Sequence, residues 1–186
     1  MIDLMLGLHS RTAPGWARVA LSDEIELLRD HAHLERKAAG HVITLMGQVP
    51  AAAARLLEVA REELGHFERV QGLLRGRGAD IGPDRGNPYV KRVARIAGET
   101  VLDRLLRMGL IEARSYERFC LLSEAAEGEL RDLFRSLRDS EAGHHALFLK
   151  LAHEISPRDE VTARWAALAE GEAAIVAALP WGARIH

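Results

Sequence analysis

Glu63-Leu-Gly-His66 recurs 78 residues later as Glu141-Ala-Gly-His144. Each copy follows a lone glutamate on an apolar background. Glu35 precedes the first copy by 28 residues and Glu112 precedes the second by 29. With 18 Glu and 9 His in 186 residues, composition alone yields about one Glu-x-x-His, so the motif by itself carries little. Its placement carries more. Leu56, Val59, Ala60, Glu63, His66, Phe67 and Val70 recur at the 3.6-residue period of one helix face, and so do Leu130, Phe134, Leu137, Glu141, His144, Phe148 and Leu151. Glu35 sits amid Leu28, His31, Ala32, Ala38, Ala39 and Val42. Glu112 sits amid Leu105, Met108, Gly109, Ser115, Tyr116 and Phe119.

A carboxylate centred on a buried stripe is costly unless something compensates it. Four facing one another would repel, and two divalent cations would neutralise them. Positions i and i+3 share a face, so one helix can present a carboxylate and an imidazole to the same ion. One Glu from each of two helices and Glu-x-x-His from each of two others is the carboxylate-bridged dinuclear pattern of ferritin-like bundles. The oxygen and imidazole donors suit Fe or Mn rather than thiolate-seeking metals. The expected metal ligands are therefore Glu35, Glu63, His66, Glu112, Glu141 and His144. Taken singly, either histidine reads as a hydrogen-bonded core residue and either lone glutamate as the edge of a helix face. Those readings leave the repeat unexplained.

The rest of the chain fits an all-α fold: a ferritin-like four-helix bundle with a crossover connection, plus short and C-terminal extra helices. Residues 1–15 read as an irregular arm and Trp16 to Ala20 as a short helix. Ser22-Asp23-Glu24 opens the first long helix, which Gly47 and Pro50 stop near Met46. The second runs from Pro50 or Ala51 to about Leu74. Gly76 to Pro88 is dense in glycine and proline and reads as a loop. Asn87-Pro88 starts a segment that Gly98 breaks. The third long helix covers about Thr100 to Ala125, and the fourth runs from Gly128 to about Glu154. Ser156-Pro157 opens a last helix, 157–179. One domain accounts for all 186 residues.

Bulk numbers exclude several classes. Composition is 48% hydrophobic and 28% charged with a formal net charge of -2, ordinary for a water-soluble protein. No apolar run reaches the ~18 residues of a membrane span, and no basic leader precedes an apolar core at the N-terminus. A lone Cys120 excludes a disulfide within the chain and an iron–sulfur cluster, and fits a cytoplasmic location. Residues 69–107 hold nine Lys/Arg against four Asp/Glu, and Arg75, Arg77, Arg85, Lys91, Arg92 and Arg95 gather on the loop and the following segment. A basic loop beside a bundle can hold the phosphates of a nucleic-acid stem-loop. Asp30-x-x-His33 falls off the stripe and is expected in solvent. His31 and His41 read as structural or surface residues. Gly65 and Gly143, next to the motif histidines, suggest close helix approach near the metals.

Four segments resemble the bacterial tRNA hydroxylase family MiaE: His33-Leu-Glu-Arg-Lys-Ala38, Arg61-Glu-Glu-Leu-Gly-His-Phe67, Gly109-Leu-Ile-Glu-Ala-Arg-Ser-Tyr-Glu-Arg-Phe119 and Ser140-Glu-Ala-Gly-His-His145. The stretch around Glu112 is the most diagnostic. The resemblance implies a non-haem enzyme with two Fe ions and O2 as co-substrate. Its implied reaction is hydroxylation of the isopentenyl side chain of 2-methylthio-N-isopentenyladenosine beside the tRNA anticodon. No flavin or nicotinamide motif is visible, so the electron donor is expected to be a separate protein; no membrane association and a monomer are also expected. Tyr116, one turn beyond Glu112, reads either as a residue supporting the metal ligands or as a plain core aromatic. Glu62 and Ser140, each directly before a motif glutamate, are further candidates to orient the ligands. Two other readings stay open: a quinone-precursor hydroxylase, and an iron- or peroxide-handling ferritin-like protein.

Overall fold

The computed structural model describes residues 6–186; of the arm expected over 1–15, residues 1–5 lie outside that range. Among the described residues seven α-helices run in order: α1 Trp16–Ala20, α2 Glu24–Gln48, α3 Ala53–Gly76, α4 Pro88–Ala97, α5 Val101–Ala125, α6 Gly128–Ile155 and α7 Arg158–Ala178. Among the described residues there is no strand. The boundaries lie within three residues of those expected from the sequence. The chain divides into two compact units, one comprising 18–87 with 181–185, the other the N-terminal arm with 88–180 and His186.

In the first unit α2 and α3 form a helical hairpin through a 3-10 turn, Pro50–Ala52. The Asp23 side chain accepts from the Glu26 amide at 3.0 Å and caps α2, a contact worth about 1 kcal/mol. The stripe residues Leu28, Val42, Leu56 and Val70 are buried, whereas Ala38 and Phe67 lie half-buried at the margins. Each fully buried aliphatic side chain contributes about 1.5–3 kcal/mol.

In the second unit α5 and α6 form the corresponding hairpin, and α4 and α7 pack on α5. Helix α5 is consequently buried around most of its circumference, including its charged residues Arg114, Glu117 and Arg118. Thr100 and Asp103 make a reciprocal capping box at its start, and Asp103 also accepts from Arg164 Nε at 2.7 Å. Gly98 precedes it at φ +83, where a Cβ would come within 2.5 Å of the Asp103 carboxylate, so only glycine fits this turn. Phe119 and Phe134 stack at 5.7 Å between α5 and α6.

Candidate metal centre

In the α2–α3 unit the packing brings Glu35, Glu63 and His66 together, all buried. His66 Nδ1 stands 3.4 Å from Glu35 Oε2 and 3.8 Å from Glu63 Oε2. His31, one turn before Glu35, gives its Nε2 to Glu35 Oε1. Burial alone would raise the Glu35 carboxyl, but His31 foremost, with His66 and Glu63, holds it well below the usual carboxylate range. Burial likewise disfavours the His66 imidazolium, yet the hydrogen bonds and charges of Glu35 and Glu63 push it up to about 10. Without a cation, a proton on His66 takes part of a cation's place.

In the α5–α6 unit Glu112, Glu141 and His144 are buried, with ligand-capable atoms within 4.8 Å of one another. His144 Nδ1 stands 3.8 Å from Glu141 Oε2. Glu112 Oε1 is buried with no hydrogen-bond partner, a state a carboxylate oxygen sustains only against a cation or a proton. Each unit thus offers two carboxylates and one imidazole with no thiolate, a donor set that fits a hard or borderline divalent metal. Next to His144, the His145 ring is held neutral by burial, donates Nδ1–H to the Gly109 carbonyl at 2.8 Å and meets Trp165 edge-on. That bond ties α6 to α5 beside the ligand pair.

A family model described as "tRNA-(MS[2]IO[6]A)-hydroxylase (MiaE)" matches residues 3–186. The chain belongs to the MiaE family. It is 35% identical over 167 residues to a Pseudomonas putida protein, tRNA 2-(methylsulfanyl)-N(6)-isopentenyladenosine(37) hydroxylase, covering 86% of this chain and 80% of that one. A Salmonella typhimurium protein of the same description is 32% identical over 126 residues, covering 66% of this chain and 46% of that one. Among solved structures it is similar to "Protein 43 with aldehyde deformylating oxygenase activity from Synechococcus", at a TM-score of 0.87 and 37% identity, covering 96% and 94% of the two chains. The fold is all-α and ferritin-like.

Within this MiaE chain the structure corrects several expectations. Asp30 and His33 are not solvated: His33 is buried with Nε2 on the Gly82 carbonyl at 3.2 Å, and Asp30 accepts from Asn87 and from the Ile185 amide. Loop 77–87 folds onto that side of α2 and covers it. His31 is structural, since it is buried on Glu35; His41 is exposed. Arg77 does not project as a free cation, because Glu24 and the Leu73 carbonyl hold it. Arg75, Arg85, Lys91, Arg92 and Arg95 are exposed. Tyr116 is buried beside Cys120; burial first, then that thiol, raises its phenol.

Gly65 and Gly143 permit no close approach, for a Cβ on either meets no atom within 4 Å. Gly65→Ala and Gly143→Ala are therefore expected to stabilise the metal-free protein by about 0.5–1 kcal/mol each, through lost backbone freedom in the unfolded chain. Urea denaturation checks this, and a loss of stability would reveal packing at these glycines.

A second buried polar cluster, which helical periodicity does not reveal, lies on the other side of α5 from Glu112. Arg114 donates Nε to Glu172 Oε1 at 2.7 Å, Nη2 to Glu172 Oε2 at 2.8 Å and Nη1 to Glu117 Oε2 at 2.9 Å. Tyr89 donates its hydroxyl to Glu172, and Glu117 accepts from the Thr12 amide and hydroxyl. Arg118 lies 4.8 Å from the Trp16 ring centroid, and burial brings its guanidinium down to about 10. The available signal was Arg114, Glu117 and Arg118 at i, i+3 and i+4 in the stretch most diagnostic of MiaE.

Proposed function

We propose that this chain hydroxylates the isopentenyl side chain of 2-methylthio-N-isopentenyladenosine next to the tRNA anticodon, using O2 and two Fe ions held by Glu35, Glu63, His66, Glu112, Glu141 and His144. The observation that carries this reading is the family match over residues 3–186. The two buried Glu/His clusters support the metal assignment, and the names of the two bacterial relatives support the substrate.

A dinuclear iron centre, when bound, supplies activation of O2 and insertion of one oxygen atom into an allylic C–H bond. The residues of the chain do the rest. Four carboxylates balance the charge of the ions, and the two imidazoles bind as neutral rings. His31 fixes the rotamer of Glu35. His145 fixes the register of α6 against α5, and with it the aim of His144. Phe119, Phe134 and Phe148 keep the α5–α6 interior apolar and exclude water from it. Tyr116 is assigned a supporting place one turn from Glu112. Electrons come from a separate protein, and the enzyme acts in the cytoplasm as a monomer. Among the described residues no helix is long and apolar enough to cross a membrane.

Nucleoside mass spectrometry of tRNA from cells with and without the gene tests the reading. The prenylated adenosine is expected to gain one oxygen only when the gene is present, and identical spectra would overturn it. A second reading rests on the Synechococcus structure, whose description gives aldehyde deformylating oxygenase activity. Incubating the iron-loaded protein with a fatty aldehyde, a reductant and O2 separates the two. Formate release without tRNA hydroxylation would favour the second.

A further inference from the structure

Loop 77–87 is built as a rigid platform rather than a flexible strand. Gly82 and Gly86 take left-handed φ of +58 and +73, and their amides donate to Asp80 Oδ1 at 3.0 Å and Asp84 Oδ1 at 2.8 Å. One face of α2 then fastens the loop at successive turns. Arg29 donates to the Asp80 carbonyl, His33 to the Gly82 carbonyl, and Lys37 to Asp84. Between α2, loop 83–87 and the tail at 183–184 lies a hollow of about 60 Å³. A hollow of about 10–15 Å³ by this measure already holds one water, so the space admits a phosphate-sized group.

The charges around the hollow favour an anion. Arg29, Lys37, Arg85 and Arg184 line it. The carboxylates are Glu26, Asp30 and Asp84, and each is already engaged. Glu26 binds Arg29 at 2.8 Å, Asp84 binds Lys37 at 2.7 Å, and Asp30 accepts from Asn87 and the Ile185 amide. Two cations keep spare donors. Among the described residues the Arg184 guanidinium makes no hydrogen bond, though its charge faces Asp30, and Arg85, its side chain 72% exposed, approaches Glu26 at 3.6 Å. His33 supplies an independent observation. It lines the hollow at 9% exposure, and its Nδ1 is buried without a hydrogen-bond partner. With Nε2–H given to Gly82, Nδ1 is the ring's remaining polar atom, and a ribose 2′-hydroxyl beside a phosphate, both donor and acceptor, is a matching partner.

We propose that this hollow is a subsite for one phosphodiester and its ribose in the RNA backbone, with Arg85 and Arg184 as its phosphate-binding side chains. The inference rests on the tRNA reading and adds a pre-formed anchoring point to it. A site assembled before the ligand arrives binds without an ordering cost, and it sets the orientation of the RNA without reading its bases.

The test is binding of a fluorescein-labelled anticodon stem-loop RNA to the full chain across a salt series. Wild type is compared with Arg85→Gln, with Arg85→Gln/Arg184→Gln, and with Lys91→Gln/Arg92→Gln on α4. Each lost phosphate contact removes about 0.7–0.9 from the slope of log affinity against log salt, so the Arg85/Arg184 double variant is expected to lower it by about 1.5. Arg85→Gln alone lowers it by about half as much and, being exposed, leaves the melting temperature unchanged. An unchanged slope in both hollow variants, with weakened binding in the α4 variant, overturns the subsite and leaves the tRNA reading standing. No RNA binding by wild type at low salt overturns both. Inorganic phosphate that binds the hollow while the RNA slope stays unchanged makes it a free-anion site and also overturns the proposal.

Discussion

Glu112→Ala is expected to reduce bound iron from two per chain to one or none and to lower tRNA hydroxylation at least about a hundredfold, beyond what loss of a group that merely supports a ligand costs. The carboxylate is 4% exposed, and Oε1 has no hydrogen-bond partner. In the metal-free protein this group is an electrostatic liability, so its removal is neutral or stabilising there. With metal the sign reverses. At a free concentration a hundredfold above its dissociation constant, one ion stabilises the fold by about 2.7 kcal/mol. At about 2–4 °C per kcal/mol for a chain of this length, that is roughly 5–11 °C in melting temperature. Wild type should show the rise on anaerobic addition of ferrous iron, and Glu112→Ala should lose at least one ion's share. A variant that binds two irons with an undiminished rise would remove Glu112 from the ligand set.

The same measurements over a pH series report on His66. Its folded pKa is raised to about 10. Its ion pairing therefore stabilises the metal-free fold fully below the ordinary histidine value near 6.5, and this stability is lost as pH rises through 10. A metal must displace that proton. Apparent iron affinity is thus expected to increase with pH across the neutral range, by up to about tenfold per unit from this group, with one proton released to buffer.

Why was the burial of these six Glu and His side chains readable from sequence while that of the Arg114 cluster was not? A glutamate on an apolar helical stripe contradicts its surroundings, and the near-equal spacings of 28 and 29 residues repeat the contradiction. Periodicity detects such conflicts between residue type and face. Helix α5 defeats it, because Arg114, Glu117 and Arg118 sit on the face a lone hairpin would leave in water. The packing of Trp16, α4, α7 and residues 10–12 buries them, and no local pattern in α5 encodes that cover. Asp30 and His33 were misread for the same reason: the loop that covers them begins more than forty residues later. Gly65 and Gly143 failed differently, since low helix propensity signals many things and close packing is not among them here.

Glu172→Ala is expected to be among the most destabilising single substitutions in the chain. Arg114 and Glu172 are each 0% exposed and meet through two parallel hydrogen bonds of 2.7 and 2.8 Å. Burial opposes the Arg114 charge, and Glu172 more than reverses that, so its pKa lies above the usual arginine value. Removing Glu172 leaves the guanidinium with Glu117 as its remaining carboxylate at 2.9 Å, and strips the Tyr89 hydroxyl of its acceptor. Breaking one side of a buried pair costs about 3–5 kcal/mol, which at about 2–4 °C per kcal/mol is roughly 6–20 °C. Replacing both partners by apolar residues, Arg114→Met with Glu172→Leu, leaves no stranded charge between them, and the double variant is expected to melt well above Glu172→Ala. A thermal double-mutant cycle measures the coupling. The metal side should be nearly indifferent, because Arg114 lies two residues from Glu112 on the opposite side of α5. Iron content of the folded double variant should therefore equal that of wild type. If Glu172→Ala melted within 2 °C of wild type, the cluster would carry no net stability. If the double variant folded but lost iron, α5 would depend on the cluster to aim Glu112.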